Sequence, residues 1–123
     1  MFQFWKALEE VAELGMAIEK QDVAEIKDAI GDIRVCLINY CKIQGCQFEC
    51  TFPPFDMPLS DMLKSIISAM SVKPIPAVTI NHFLLSIADC LGVPLEECDD
   101  MAWNAIKDRK GRMVGGEFVK DAE

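Results

Sequence analysis

Residues 3–37, QFWKALEEVAELGMAIEKQDVAEIKDAIGDIRVCL, decide how this chain folds. Phe4, Leu8, Val11, Gly15 and Ile18 recur every three or four residues, the period of one helix face, which predicts a helix near residues 2–19. Lys20-Gln21 is a short connection. Asp22, followed three residues later by Glu25, forms a capping-box pattern that starts a second helix. That helix carries Val23, Ile26, Ile30, Ile33 and Leu37 inward and ends near Gly45, a residue suited to the backbone turn that closes a helix.

Two helices joined by so short a turn are expected to lie antiparallel, so residues whose numbers sum to about 42 should stand at equal height. On the first helix Gln3, Lys6, Glu10 and Glu13 share a face, with Glu9 at its edge. On the second, Glu25, Asp28 and Asp32 do the same. Glu10 then meets Asp32, and Glu13 meets Asp28. Like charges brought together repel, so they either point to water or hold a cation between them. One acidic run alone reads as a solvated face; matching acids on the neighbouring helix favour a metal. An all-oxygen donor set suits magnesium, which keeps coordination positions for water and phosphate. Gly31 fits the same close-packed pair: glycine inside a helix costs about 1 kcal/mol against alanine, a cost that implies close approach of a neighbouring backbone.

Outward from this pair, Gly45 to Pro58 lacks helical periodicity, contains Pro53-Pro54, and reads as a loop. A third helix is predicted over Leu59–Ser71, with Leu59, Met62, Leu63, Ile66 and Met70 on one stripe. Lys73-Pro74-Ile75-Pro76 breaks the chain. A fourth helix fits Ala77–Leu91, with Ile80, Phe83, Leu84, Ile87 and Leu91 inward and Gly92 closing it. Pro94 suits the first turn of a fifth helix reaching about Lys110. The tail, residues 111–123, reads as a hairpin-like arm or an extended strand. The expected fold is therefore all-α, an antiparallel bundle of about five helices in a single domain spanning 1–123.

Composition narrows the function. Twenty acidic residues against twelve basic give a net charge of −8, which argues against a binder of nucleic-acid polymers. A phosphate substrate stays open if metal ions supply the positive charge. The six cysteines form no C-x-x-C pair and the lone histidine is His82, so a structural zinc site is not expected. Cys36, Cys41, Cys90 and Cys98 read as small buried apolar residues. Trp5, Trp103 and Phe4 read as core before base-stacking platforms. His82 reads as a packed or surface residue, and Met62 and Met70 as core filler. With no signal peptide and no membrane-spanning run, a cytoplasmic protein without membrane association is expected. The 51% hydrophobic fraction exceeds what a small helical domain buries alone, which predicts a homodimer or homotetramer.

Gln3-x-x-Lys6-x-x-Glu9-Glu10-x-x-Glu13-Leu14, followed by Asp28-Ala29-Ile30-Gly31-Asp32, resembles the MazG-like all-alpha nucleoside triphosphate pyrophosphohydrolases, small single-domain type. Their pattern is E-E-x-x-E followed by E-x-x-D on the next helix. Trp103-Asn104-x-x-Lys107 and the basic run after it resemble the family's phosphate-contacting segment. The resemblance implies magnesium-dependent hydrolysis of a nucleoside triphosphate to the monophosphate and pyrophosphate. It implies Glu10, Glu13, Asp28 and Asp32 as metal ligands, with Glu25 in reserve. Glu9 would be a ligand or the base, and Glu9 and Glu10 the catalytic carboxylates. Lys6, Asn104, Lys107 and Lys110 would bind substrate, with Arg109 and Arg112 as further phosphate candidates. One departure is plain: the family's second-motif Glu falls on Ala29 here, with Asp28 one residue earlier.

Two other classes share parts of this pattern. A di-iron carboxylate bundle needs E-x-x-H on paired helices, and Thr79 stands where the Glu before His82 would be. A non-catalytic helical dimerisation or interaction module would keep the acidic face for solubility alone.

Overall fold

The computed structural model describes residues 4–45, 48, 53–107, 111–114 and 117–120, with side chains described over 5–45, at 48 and over 53–104. Five helices follow in order: α1 (Phe4–Lys20), α2 (Val23–Gln44), α3 (Leu59–Met70), α4 (Ala77–Leu91) and α5 (Leu95–Lys107). A short antiparallel hairpin closes the described chain, β1 (Gly111–Val114) on β2 (Glu117–Lys120), with Gly111 opposite Lys120 and Val114 opposite Glu117. The fold is thus helical apart from a two-stranded arm, the hairpin being one of the two forms expected of the tail.

Local chemistry sets the helix ends. Asp22 has extended backbone, and its Oδ1 accepts from the Glu25 N–H at 3.1 Å, the cap expected there. Gly45 and Gly92 close α2 and α4 with φ of 70° and 67°, a left-handed conformation that residues with a Cβ adopt at a cost. Between α1 and α2 the chain turns back through Gln21 (φ 58°), where the Asp22 N–H donates to the Ala17 carbonyl at 3.0 Å. α5 begins at Leu95, so Pro94 precedes the helix instead of lying in its first turn, and its carbonyl accepts from the Glu97 N–H at 3.2 Å.

α2 is the central element: it packs on α1, α4 and α5, while α3 packs on α4 and α1. The core joins Val11 and Leu14 of α1, Ile26, Ile30, Ile33 and Leu37 of α2, Met62, Ile66 and Met70 of α3, and Ile80, Leu84 and Ile87 of α4. Two helix phases differ from the sequence expectation. On α1 the buried stripe is Ala7, Val11, Leu14 and Ala17, because small alanines let the helix lie close to its neighbours. Val23, expected inward, stands in the first turn of α2 and is 54% exposed.

Trp5 and Trp103 depart furthest: expected in the core, they are 79% and 63% exposed. Trp103 follows directly on the buried Ala102, so the helix turn carries it off the stripe that Cys98 and Ala102 define. Cys41 and Cys98 are buried as expected, Cys36 is half-buried and Cys90 is exposed. Phe4's side chain lies outside the described residues. Among the described residues no single helix is long and apolar enough to cross a membrane.

Gly31 bears out the close approach. Its missing Cβ faces α5, where an added carbon would overlap the Cys98 carbonyl oxygen and press on the Ala102 side chain. α5 is therefore seated on the backbone of α2 itself. That seat fixes how the acidic face of α2 is turned, since Asp28 and Asp32 flank Gly31 on the same helix.

Candidate functional site

Beyond the turn at Gln21–Asp22, α2 packs on α1 and brings Asp32 beside Glu10. Glu10 lies within hydrogen-bonding reach of the carboxyls of Glu13 and Asp32. Asp28 stands close enough for its charge to act on Asp32. Glu13 and Asp28 together line a cleft of about 280 Å³ with Met16, Lys20, Glu25 and Ala29.

These carboxylates differ sharply in exposure. Glu10 is only 3% exposed, on the face of α1 that carries Val11 and Leu14 into the core. Glu9, Glu13, Asp28 and Glu25 are exposed, and Asp32 is intermediate. A buried carboxylate needs partners. One oxygen of Glu10 meets Lys6 Nζ at 3.0 Å; the other, Oε2, is sealed from solvent and, with the neighbouring carboxyls ionised, has no hydrogen-bond donor.

The surroundings respond to that buried charge. Burial pushes the Asp32 carboxyl up to about 7, and the charges of Glu10 and Asp28 and a hydrogen bond shared with Glu10 add to the rise. Glu13 is pushed up by burial, then by a hydrogen bond and charge from Glu10 and the charge of Glu9. Lys6 is raised, first by its hydrogen bond to Glu10 and then by the charges of Glu10, Glu9 and Glu13, with its own desolvation opposing. Burial is the first cause at Asp32 and Glu13, and in all three shifts the neighbouring carboxylates, Glu10 among them, push the same way.

Carboxylates gathered in this way fit a cation. The donors are oxygens, as a hard divalent ion requires, and Oε2 of Glu10 is a buried acceptor without a hydrogen-bond partner among the described residues. Among the described residues, no three His, Cys, Asp or Glu side chains are already arranged to hold an ion. Ala29, beside Asp28 in the chain, is buried and lines the wall of the cleft.

The remaining candidates are less concentrated. Asn104 is exposed near the end of α5, and no hydrogen bond or ion pair among the described residues joins it to the carboxylates. Lys107 ends α5, but its side chain, with Arg109, Lys110, the Arg112 side chain and Gln3, lies outside the described residues.

Two groups escaped the sequence reading. Cys36, one helical turn beyond Asp32, is pushed up to about 11 by burial and by the charges of Glu10 and Asp32. Its spacing of four from Asp32 was the signal, masked by its reading as an ordinary small core residue. Arg34 is the larger omission. It is 8% exposed, with Nε and Nη2 donating to the two carboxylate oxygens of Asp99 at 2.7 and 3.1 Å and Nη1 donating to Asn81 Oδ1 at 2.5 Å. Asn81 in turn donates to the Phe48 carbonyl at 3.1 Å, and the guanidinium lies 5.0 Å from the Phe48 ring centroid. Lys27 meets Glu97 at 2.9 Å on the same side of α2. These polar clasps flank Gly31 and hold α5 on α2; a cation among the apolar positions of α2 was the one hint available.

The 53–58 segment is clasped to α4 separately. The Phe55 N–H donates to Ser86 Oγ at 2.8 Å, His82 Nε2 donates to the Pro53 carbonyl at 2.6 Å, and the Phe55 ring stacks on the His82 ring at 3.8 Å. His82 is thus a packing residue, as expected.

No family model matches the chain, and no curated protein or solved structure is significantly similar to it.

Proposed function

We propose that the chain hydrolyses nucleoside triphosphates to nucleoside monophosphate and pyrophosphate, using magnesium held by carboxylates of α1 and α2. The observation that carries this reading is the buried Glu10, whose Oε2 has no donor while Asp32 and Glu13 crowd beside it. A divalent cation would relieve the mutual repulsion of carboxylates gathered this closely. The motif resemblance over residues 3–40 supplies the reaction.

Glu10, Glu13, Asp28 and Asp32 would hold the ion. Magnesium, when bound, neutralises phosphate oxygens and lowers the pKa of a water. Glu9, exposed one helical turn before Glu13, would accept a proton from a water. Lys6 at the N-terminal edge of the cluster, Asn104 and Lys107 in the last turn of α5, and Lys110 would hold phosphate oxygens. Apolar side chains left exposed on α1 and α3, among them Met16 at 56% and Ile67 at 43%, favour completion of an antiparallel bundle by self-association into a dimer or tetramer. The proposed enzyme is cytoplasmic and single-domain, with its nucleotide substrate and further copies of the same chain as its partners.

Pyrophosphate release from a panel of nucleoside triphosphates with magnesium tests the reading. Turnover on at least one nucleotide, reduced about a thousandfold or more by Glu10→Gln, is the expected result, on the scale of losing a principal electrostatic contact. Turnover on none, or turnover indifferent to Glu10→Gln, overturns it.

A further inference from the structure

Lys6 meets Glu10 across a steep gradient of exposure: the lysine side chain is 57% exposed and the glutamate 4%. The pair is an i,i+4 contact with the cation on the N-terminal side, the weaker of the two orders on a helix. Its rationale is therefore the buried charge of Glu10 and not the helix geometry. An ammonium group is a monovalent substitute, and here it satisfies one carboxylate oxygen and leaves the other bare. A divalent ion on Glu10 makes the Lys6 contact redundant, and the stem is long and exposed enough to swing away.

We propose that Lys6 is a displaceable counter-ion: it neutralises Glu10 until a divalent cation is bound there, then turns outward to hold a phosphate oxygen of the substrate. This rests on the metal reading of the carboxylates. It couples the two binding events through one side chain. The site without its ion spends its lysine on Glu10 and offers little to an anion; the site with its ion presents a free ammonium at the rim.

The test reads Lys6 itself. The chain is acylated with an N-hydroxysuccinimide acetate, and the rate at each lysine is followed by peptide mass spectrometry, with exposed Lys42 and Lys64 as internal standards. Magnesium is expected to raise the Lys6 rate roughly threefold or more, the scale of losing one ion pair. Tripolyphosphate added with magnesium should lower it again, while the standards do not respond. A Lys6 rate indifferent to magnesium, in a chain that binds Mn2+ by paramagnetic titration, overturns the displacement and leaves the metal reading intact. Absence of Mn2+ binding overturns both. Lys6→Met gives a second readout: Mn2+ should bind more tightly and tripolyphosphate with Mn2+ more weakly. Effects of the same sign on both ligands would mark Lys6 as merely structural and reject the proposal.

Discussion

Gly31 of α2 touches the carbonyl of Cys98 in α5 so closely that no side-chain carbon fits between them. The obstructing atoms are backbone, which cannot rotate aside as a side-chain tip can. Gly31→Ala should therefore destabilise the chain even though alanine favours helix; overpacking of this kind costs about 1–3 kcal/mol. Urea unfolding followed by circular dichroism checks it. A variant as stable as the parent would mean α5 rides off α2 without penalty.

Arg34 and Asp99 form the polar counterpart of that contact. Asp99→Ala leaves a buried guanidinium with Asn81 and the Phe48 ring but without its carboxylate, and should cost about 1–3 kcal/mol. Adding Arg34→Met removes the stranded charge and keeps apolar bulk, so the double variant should recover part of the loss. A coupling energy of about 1 kcal/mol or more in the double-mutant cycle is expected from urea midpoints; additive losses would show that the pair contributes nothing as a pair.

The Asp32 carboxyl lies near 7 in the folded chain against its ordinary 3.8. The folded state holds a proton over that window and the unfolded state does not. Stability of the metal-free protein should then fall as pH rises from about 4 to about 7, and level off above. Because Asp32 is linked to Glu10, the midpoint belongs to the pair. Asp32→Asn should flatten this decline and leave the variant more stable than the parent at pH 8. Thermal midpoints across pH 4.5–8.5, for parent and variant with a chelator present, decide it; parallel curves would refute the burial of charge at this position.

How much of this was legible in the sequence follows from the range of each interaction. Asp22, Gly45 and Gly92 act within one turn, and all three close or open helices as their residue types dictate. The encounter of Glu10 with Asp32 needed only helix period and a short turn. Gly31 was legible because its cost demanded a reason. Arg34 was not: its partners Asp99 and Asn81 lie 65 and 47 residues away, and nothing local names them. The tryptophans failed for another reason. Hydrophobicity says that burying an indole is favourable, but helix phase decides which side chains go inward, and at Trp5 and Trp103 phase prevailed.

Ala29 offers the sharpest test of the candidate site. It stands in the wall of the Glu13–Asp28 cleft, where the resembling family places a carboxylate, and Asp28 is the neighbour able to replace it. If Asp28 carries that duty, Asp28→Asn should weaken Mn2+ binding on the order of tenfold, the scale seen when the support of a metal site is disturbed. Ala29→Glu extends a carboxylate from the same wall into the cleft. Placed on Asp28→Asn, it should restore binding to near the parent level; placed on the parent, it should tighten it, since a further oxygen is added to an oxygen site. Both substitutions are read by paramagnetic titration of Mn2+, independently of turnover. Loss in Asp28→Asn without rescue by Ala29→Glu would place the ion nearer Asp32 and Glu10 than the cleft. No loss in Asp28→Asn would remove Asp28 from the ligand set and leave α2 contributing through Asp32, with Glu25 in reserve.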